Sequence, residues 1–142
     1  MNGMKSKLTT IWIFAMLNYL YCDLLGLLDP NLLKQYLAGT ANGIEISQTF
    51  LLGSAVLMEI PIAMVLLSRL LGYRANRWAN IVAGATMTVV QIGSLFLGTP
   101  TLYYVFFSVI EMAATVSIVW IAWKWASDER AVSMAPKVAV SH

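Results

Sequence analysis

The chain has 142 residues, of which 59% are hydrophobic and only 11% are charged. Soluble domains carry about 25% charged residues, so this composition excludes an ordinary soluble domain and indicates an integral membrane protein. The formal net charge is +2. Its basic residues lie at the ends of apolar runs, which argues against a nucleic-acid partner and leaves the lipid bilayer as the expected surroundings.

Cysteine and histidine are too scarce for several kinds of site. Cys22 is the only cysteine and His142 the only histidine, so neither an intrachain disulfide nor a paired-cysteine redox motif can form. A zinc or haem site built on histidine is not expected either. We therefore expect no metal centre, no bound cofactor and no catalytic residues, and the protein is predicted not to be an enzyme.

Four apolar segments are long enough to cross a bilayer, which takes roughly 20 residues of helix. The first follows two lysines, as in a signal peptide, but no small-x-small cleavage site closes it, so we interpret it as an uncleaved span. The predicted fold is all-α: an integral-membrane four-helix bundle at residues 1–126, followed by a polar cytoplasmic tail at residues 127–142. The spans are predicted at residues 8–28, 48–71, 79–97 and 102–125, with GYRANRW and GTP as the tight turns around the third.

The first loop is predicted to contain a short amphipathic helix, PNLLKQYLAG. Asp29 and Pro30 are typical of a helix N-cap and first position, and Gly39 is expected to end the helix. The leucines and Tyr36 between them share one face, which favours a helix lying flat at the outer membrane interface. The following TANGIEIS is predicted as loop, with Ser47 capping the second span.

Lysine and arginine set the expected orientation. Eight of the nine lie on one side of the predicted spans, and Lys34 in the first loop is the exception. By the positive-inside rule both termini are cytoplasmic, as in a multi-pass protein of a bacterial inner membrane. All five tryptophans fall near the cytoplasmic ends, where we interpret them as interface anchors: Trp12, Trp78, Trp120, Trp123 and Trp125.

Each predicted span carries one strongly polar residue at a similar depth. At about 1.5 Å per residue these groups lie roughly 8 to 16 Å below the outer ends of their spans. They are Asp23, Glu59, Gln91 and Glu111. Polar neighbours at helical spacing accompany them: Tyr19 one turn before Asp23, the stripe Gly84, Thr88, Gln91 and Ser94, and the stripe Tyr104, Ser108, Glu111 and Thr115.

No lysine, arginine or histidine lies at this depth. Three carboxyl groups cannot all be charged in a low-dielectric bundle, so some or all are expected to be protonated, or a ligand supplies the positive charge. In the first hypothesis Glu59 and Glu111 share one interior pocket that binds or translocates a proton, a cation or a small amphipathic molecule. Its predicted lining is Asp23, Glu59, Gln91, Glu111, Tyr19, Tyr104 and Ser108. The alternatives are hydrogen bonds that only hold helices together, or an accessory subunit whose acids pair with a partner protein or a second copy.

The segments TIWIFAMLNYLYCDLLGLLDP, LMEIPIAMVLLSRLLGYRANRWANI and PTLYYVFFSVIEMAATVSIVWIAWKW resemble a family of small four-span bacterial membrane proteins without an assigned function, over residues 8–126. More distantly, the second span resembles the DoxX-like superfamily, with a mid-span Glu59 and a Leu-Leu-Gly-x-Arg pattern that ends at Arg74. This resemblance implies a quinone-linked redox component, in which only Glu59 and Arg74 match, and it is the one source of a quinone as a cofactor.

Overall fold

A computed structural model describes residues 2–134, and the side chains of residues 3–125. The all-α prediction is confirmed, because the described chain is helical apart from two short strands. The elements in order are α1 (Asn2–Leu28), α2 (Pro30–Leu37), β1 (Thr40–Ala41), β2 (Ile44–Glu45), α3 (Gln48–Leu70), α4 (Tyr73–Ser94) and α5 (Leu102–Met134). Residues 135–142, the end of the predicted tail, lie outside the described residues.

Three of the described helices are long and apolar enough to cross a membrane. They are Gly3–Leu28 within α1, Gln48–Leu70 and Leu102–Trp125 within α5. These segments match three of the four predicted spans closely and support a membrane protein. The 22 residues of α4 have a similar length of about 33 Å, but the first half of this helix carries two arginines and two asparagines. By composition, α4 does not qualify as a span.

The long helices pack on their neighbours in an antiparallel manner. α1 packs on α3 and α5, and α4 packs on α5 and on α3. Near the start of α1, the Lys5 ammonium donates a hydrogen bond to the Leu71 carbonyl at the end of α3 (2.7 Å). At the other end of α1, Gly26 lies beside the Tyr103 hydroxyl at the start of α5. The start of α1 and the end of α3 therefore lie at one end, and the end of α1 and the start of α5 lie at the other.

The first loop contains the predicted helix and an unpredicted hairpin. The Asp29 carboxylate accepts from the backbone N–H groups of Asn31 and Leu32, and Pro30 follows the cap, so the predicted start of α2 is confirmed. TANGIEIS was predicted as loop, but Thr40–Ala41 pairs with Ile44–Glu45. Asn42 and Gly43 have φ values of 49° and 81°, as in a type I′ hairpin turn.

Two predicted boundaries differ from the structure. GYRANRW was predicted as a turn, yet α4 begins at Tyr73 and only Leu71 and Gly72 separate it from α3. So short a link is stable because the Asn76 side chain donates to the Ser68 carbonyl in the last turn of α3. The second difference is that α5 continues to Met134, so the helix does not end where the polar tail was predicted to begin.

Two of the tryptophans lie in the core rather than at an interface. Trp12 is 0% exposed and Trp125 is 3% exposed. The Trp12 indole N–H donates to the Asn80 side-chain oxygen (2.7 Å), and the Trp125 ring meets Tyr73 edge to face. The prediction that both are interface anchors is therefore wrong, because each finds its partners inside the protein. Trp78, Trp120 and Trp123 are more than half exposed.

Candidate functional site

A ladder of polar side chains joins the C-terminal half of α4 to the N-terminal half of α5. The Tyr104 hydroxyl donates to the Ser94 hydroxyl (2.6 Å), which donates to the Gln91 backbone carbonyl (2.7 Å). The Gln91 amide donates to the Ser108 hydroxyl (2.7 Å). We call Tyr104, Ser94, Gln91 and Ser108 the polar ladder. Gln91 and Ser108 are buried, so the ladder extends from the start of α5 into the interior.

Below the ladder, close packing brings the two helices together. The Thr88 and Thr115 hydroxyls lie 2.8 Å apart. A Cβ atom on Gly84 would lie 2.8 Å from a Val119 methyl group and 3.2 Å from the Thr115 carbonyl oxygen. Glycine is therefore required for this approach of the backbones. The polar stripes predicted on the two helices face each other over their whole length.

Glu111 lies one turn inside the ladder and is 1% exposed. Its Oε1 atom has no hydrogen-bond partner among the described residues, and neither has the buried hydroxyl of Tyr19 on α1. Tyr19 and Glu111 belong to α1 and α5, which pack on each other. More than about 90% of buried polar groups in proteins are paired. Two unpaired buried groups on these packed helices therefore make this region the candidate site.

A cavity of about 150 Å³ lies near the start of α5, at the end of the helices that carries α2 and the hairpin. Its lining includes Ser94 and Tyr104 of the polar ladder, Leu32 of α2 and Asn42 of the hairpin turn. The ladder therefore begins at the wall of the cavity and continues toward Glu111.

The carboxyl of Asp23 contributes to the electrostatic environment of Tyr36 on α2. Partial burial of the Tyr36 hydroxyl, together with Tyr103 and the carboxyl of Asp23, raises its pKa. Asp23 itself is exposed. Asp23 therefore does not line the interior as predicted.

Glu59 does not join Glu111, and the prediction of a shared interior pocket is corrected here. The Glu59 side chain is exposed, whereas the buried residues of α3 are Pro61, Met64 and Ser68. At about 100° per residue, Glu59 lies about 170° around the helix from the middle of that buried stripe. The packing of α3 thus directs Glu59 outward from the middle of an apolar helix, where an acid costs around 2.5 to 3.5 kcal/mol to insert.

A second buried polar group, at the opposite end of the helices, was missed by the sequence reasoning. The Asn80 side-chain oxygen accepts from Trp12 and from the Ser68 hydroxyl (3.2 Å). Its amide group donates to the Asn76 carbonyl (2.9 Å) and to the Asn76 side chain (2.6 Å). We call Trp12, Ser68, Asn76 and Asn80 the asparagine cluster, and all four are 0% exposed. The spacing of the two asparagines, one helical turn apart, was the available signal.

The described residues contain no larger cluster of acidic side chains that could bind a metal ion. Within residues 3–125, no three histidine, cysteine, aspartate or glutamate side chains come together as the ligands of a metal ion would.

Comparison with known proteins gives one result. A model of a family of unknown function, DUF6326, matches residues 2–132. No curated protein and no solved structure matches the chain.

Proposed function

This chain belongs to the family of unknown function DUF6326, and we propose that it is a small membrane protein that binds a proton or a small cationic ligand at Glu111. The observation that carries the proposal is the buried Oε1 atom of Glu111, which lacks a hydrogen-bond partner within the described chain. A carboxyl group that only holds helices together would use its oxygens for that purpose. Here no partner for this oxygen lies among the described residues, so a ligand supplies one or the carboxyl group holds a proton.

The proposal includes α4 as a fourth span, which completes a four-helix bundle. Its polar residues Asn76, Asn80 and Gln91 are buried, whereas Val82 and Val89 are 60% and 69% exposed. A helix that turns polar side chains inward and valines outward suits a bilayer although its mean hydropathy is low. With the basic residues at one end, both termini are cytoplasmic in a bacterial inner membrane.

A ligand reaches Glu111 from the outer cavity in this proposal. Tyr104 and Ser94 provide hydroxyl groups at the cavity wall, and Gln91 and Ser108 continue the polar lining inward. At the inner end, the Glu111 carboxylate offers negative charge and the Tyr19 hydroxyl offers one donor and an acceptor. The set suits a proton, or a small cation that carries N–H groups. The chain acts by binding and transfer and catalyses no bond change.

Binding can be tested with ethylammonium, a small cation that carries N–H groups, as the probe, on the protein in lipid nanodiscs. We expect Glu111→Gln to lower probe affinity at least tenfold, because the amide keeps the size of the side chain and loses its charge. Glu59→Gln is the matched control, since it removes an exposed carboxyl and leaves the Glu111 site intact. Equal probe affinity in wild type and Glu111→Gln would contradict a cation site.

The proton can be tested separately by infrared spectroscopy. A neutral carboxyl group has its own C=O stretching band, and we expect that band at neutral pH in the ligand-free wild type and its loss in Glu111→Gln. If Glu111→Gln leaves the band unchanged, Glu111 does not hold a proton. Loss of neither the band nor probe binding on mutation would exclude both forms of the proposal.

An accessory role in a membrane complex is the second candidate, and the exposed Glu59 favours it. An acid in the middle of a span normally faces protein or water rather than lipid, so a partner subunit would cover it. The DoxX-like alternative depends on Glu59 and Arg74, and the site around Glu111 involves neither. Co-purification of a second polypeptide that is lost in Glu59→Leu would favour the accessory role.

A further inference from the structure

We propose that α3 is the contact helix of a homodimer in which the Glu59 side chains of two copies hydrogen-bond to each other. The proposal does not depend on the function of Glu111. It begins from a row of exposed residues on α3 that are four, three, four, three and four positions apart. We call them the α3 seam: Gln48, Leu52, Ala55, Glu59, Ile62 and Leu66.

The residues of the α3 seam have the spacing found where two helices pack side by side. Alternate steps of three and four average 3.5 residues, the repeat with which two helices stay in contact along a left-handed supercoil. The seam lies on the opposite side of α3 from the buried Pro61, Met64 and Ser68. A second helix can therefore pack on the seam without displacing α1 or α4.

Glu59 gives the reason why the seam is covered by protein. It is the central residue of α3 (Gln48–Leu70), so in a membrane its exposed carboxyl lies at mid-depth. Intramembrane acids generally face a protein partner or a water-filled cavity. Through the whole described chain, lysine and arginine lie near helix ends and none is at this depth, so this protein offers no cation to neutralise Glu59.

A second copy of this chain supplies the partner that Glu59 needs. Around a two-fold axis along the membrane normal, each residue at the centre of the contact lies opposite its own copy, at the same depth. A neutral carboxyl group both donates and accepts a hydrogen bond, so two such groups satisfy each other. Ala55, one turn away, is small enough for the two helices to approach closely.

Disulfide cross-linking in native membranes tests the seam with a nearly unchanged protein. Ala55→Cys is expected to give a disulfide-linked dimer in high yield. Val89→Cys is the matched control, because Val89 on α4 is 69% exposed at a similar distance from the outer end of its helix. The wild type, whose one cysteine is the buried Cys22, gives the background. A cross-link from Ala55→Cys no stronger than that from Val89→Cys, or a cross-link to a different protein, would overturn the homodimer.

The role of Glu59 is tested by single-molecule photobleaching in vesicles of phosphatidylethanolamine and phosphatidylglycerol. Glu59→Gln should keep the dimer, since two amides also pair, whereas Glu59→Leu should lower the dimerisation constant about tenfold or more. Glu111→Gln is the control and should dimerise as the wild type does, even if it no longer binds ethylammonium. Wild-type protein that stays monomeric at every density, or Glu59→Leu that dimerises like the wild type, would show that the proposal is wrong.

Discussion

The two buried polar regions of this protein differ in whether their hydrogen bonds are complete. In the asparagine cluster the Asn80 side chain binds three other residues, and no side-chain atom of the cluster is without a partner. Around Glu111, by contrast, a carboxyl oxygen and the Tyr19 hydroxyl have no partner among the described residues. Both regions cross helix interfaces and both are buried. The difference teaches that a completed network accounts for packing, whereas the incomplete one is the feature on which the proposed binding site depends.

The largest expected effect is on the completed network. Asn80→Ala leaves the Trp12 indole N–H, the Ser68 hydroxyl and the Asn76 side-chain oxygen without their partner, so we expect a loss of about 2–3 kcal/mol of unfolding free energy. The measurement is unfolding by SDS in mixed micelles. Asn18→Ala is the control, because the Asn18 amide binds only the Phe14 carbonyl of its own helix. Equal losses from the two variants would show that the asparagine cluster does not hold the helices together.

A smaller effect on stability is expected at Gly84, where the backbones of α4 and α5 approach each other closely. Gly84→Ala places a methyl group 2.8 Å from Val119 and 3.2 Å from the Thr115 carbonyl, so α4 and α5 must separate at a cost of about 1–2 kcal/mol. Gly53→Ala is the matched control, because an added Cβ there meets nothing within 4 Å. The same unfolding assay compares them. A Gly84→Ala variant as stable as Gly53→Ala would mean that the close contact is not needed.

The smallest effect on stability is expected at Glu111 itself. Glu111→Gln removes no described hydrogen bond of the side chain and keeps its volume, so the unfolding free energy should change by less than about 1 kcal/mol. Combined with loss of probe binding, that outcome would separate this region from the asparagine cluster. A loss as large as that of Asn80→Ala would instead assign Glu111 to helix packing.

The sequence predicted the contact between α4 and α5 because both helices carry polar residues at steps of three and four. Gln91 and Ser108 belong to stripes that are distinct from their apolar surroundings, so each stripe defines one face. α3 gives no such signal. Between residues 50 and 67 it is apolar on every side except at Ser54 and Glu59, so only its packing on α1 and α4 decides which way that carboxyl points.

The asparagine cluster was missed for a different physical reason. Asn76 and Asn80 follow arginines at the end of a predicted span, and polar residues there are typical of a turn in water. Only the tertiary structure shows that the neighbouring helices bury them. The Asn42-Gly43 hairpin, by contrast, was within reach of sequence reasoning, because this dipeptide is a strong turn signal on its own.

Pro61 has a consequence for the motion of α3. It lacks the N–H that would bind the Leu57 carbonyl, so the helix is weakened in the turn that holds Glu59. On the N-terminal side of Pro61, every side chain from residue 48 to residue 56 is exposed. Few contacts with other helices therefore oppose local opening of this part of α3. In the monomer, amide protons between residues 48 and 56 should therefore exchange with deuterium sooner than those between Met64 and Ser68, which are held against the other helices.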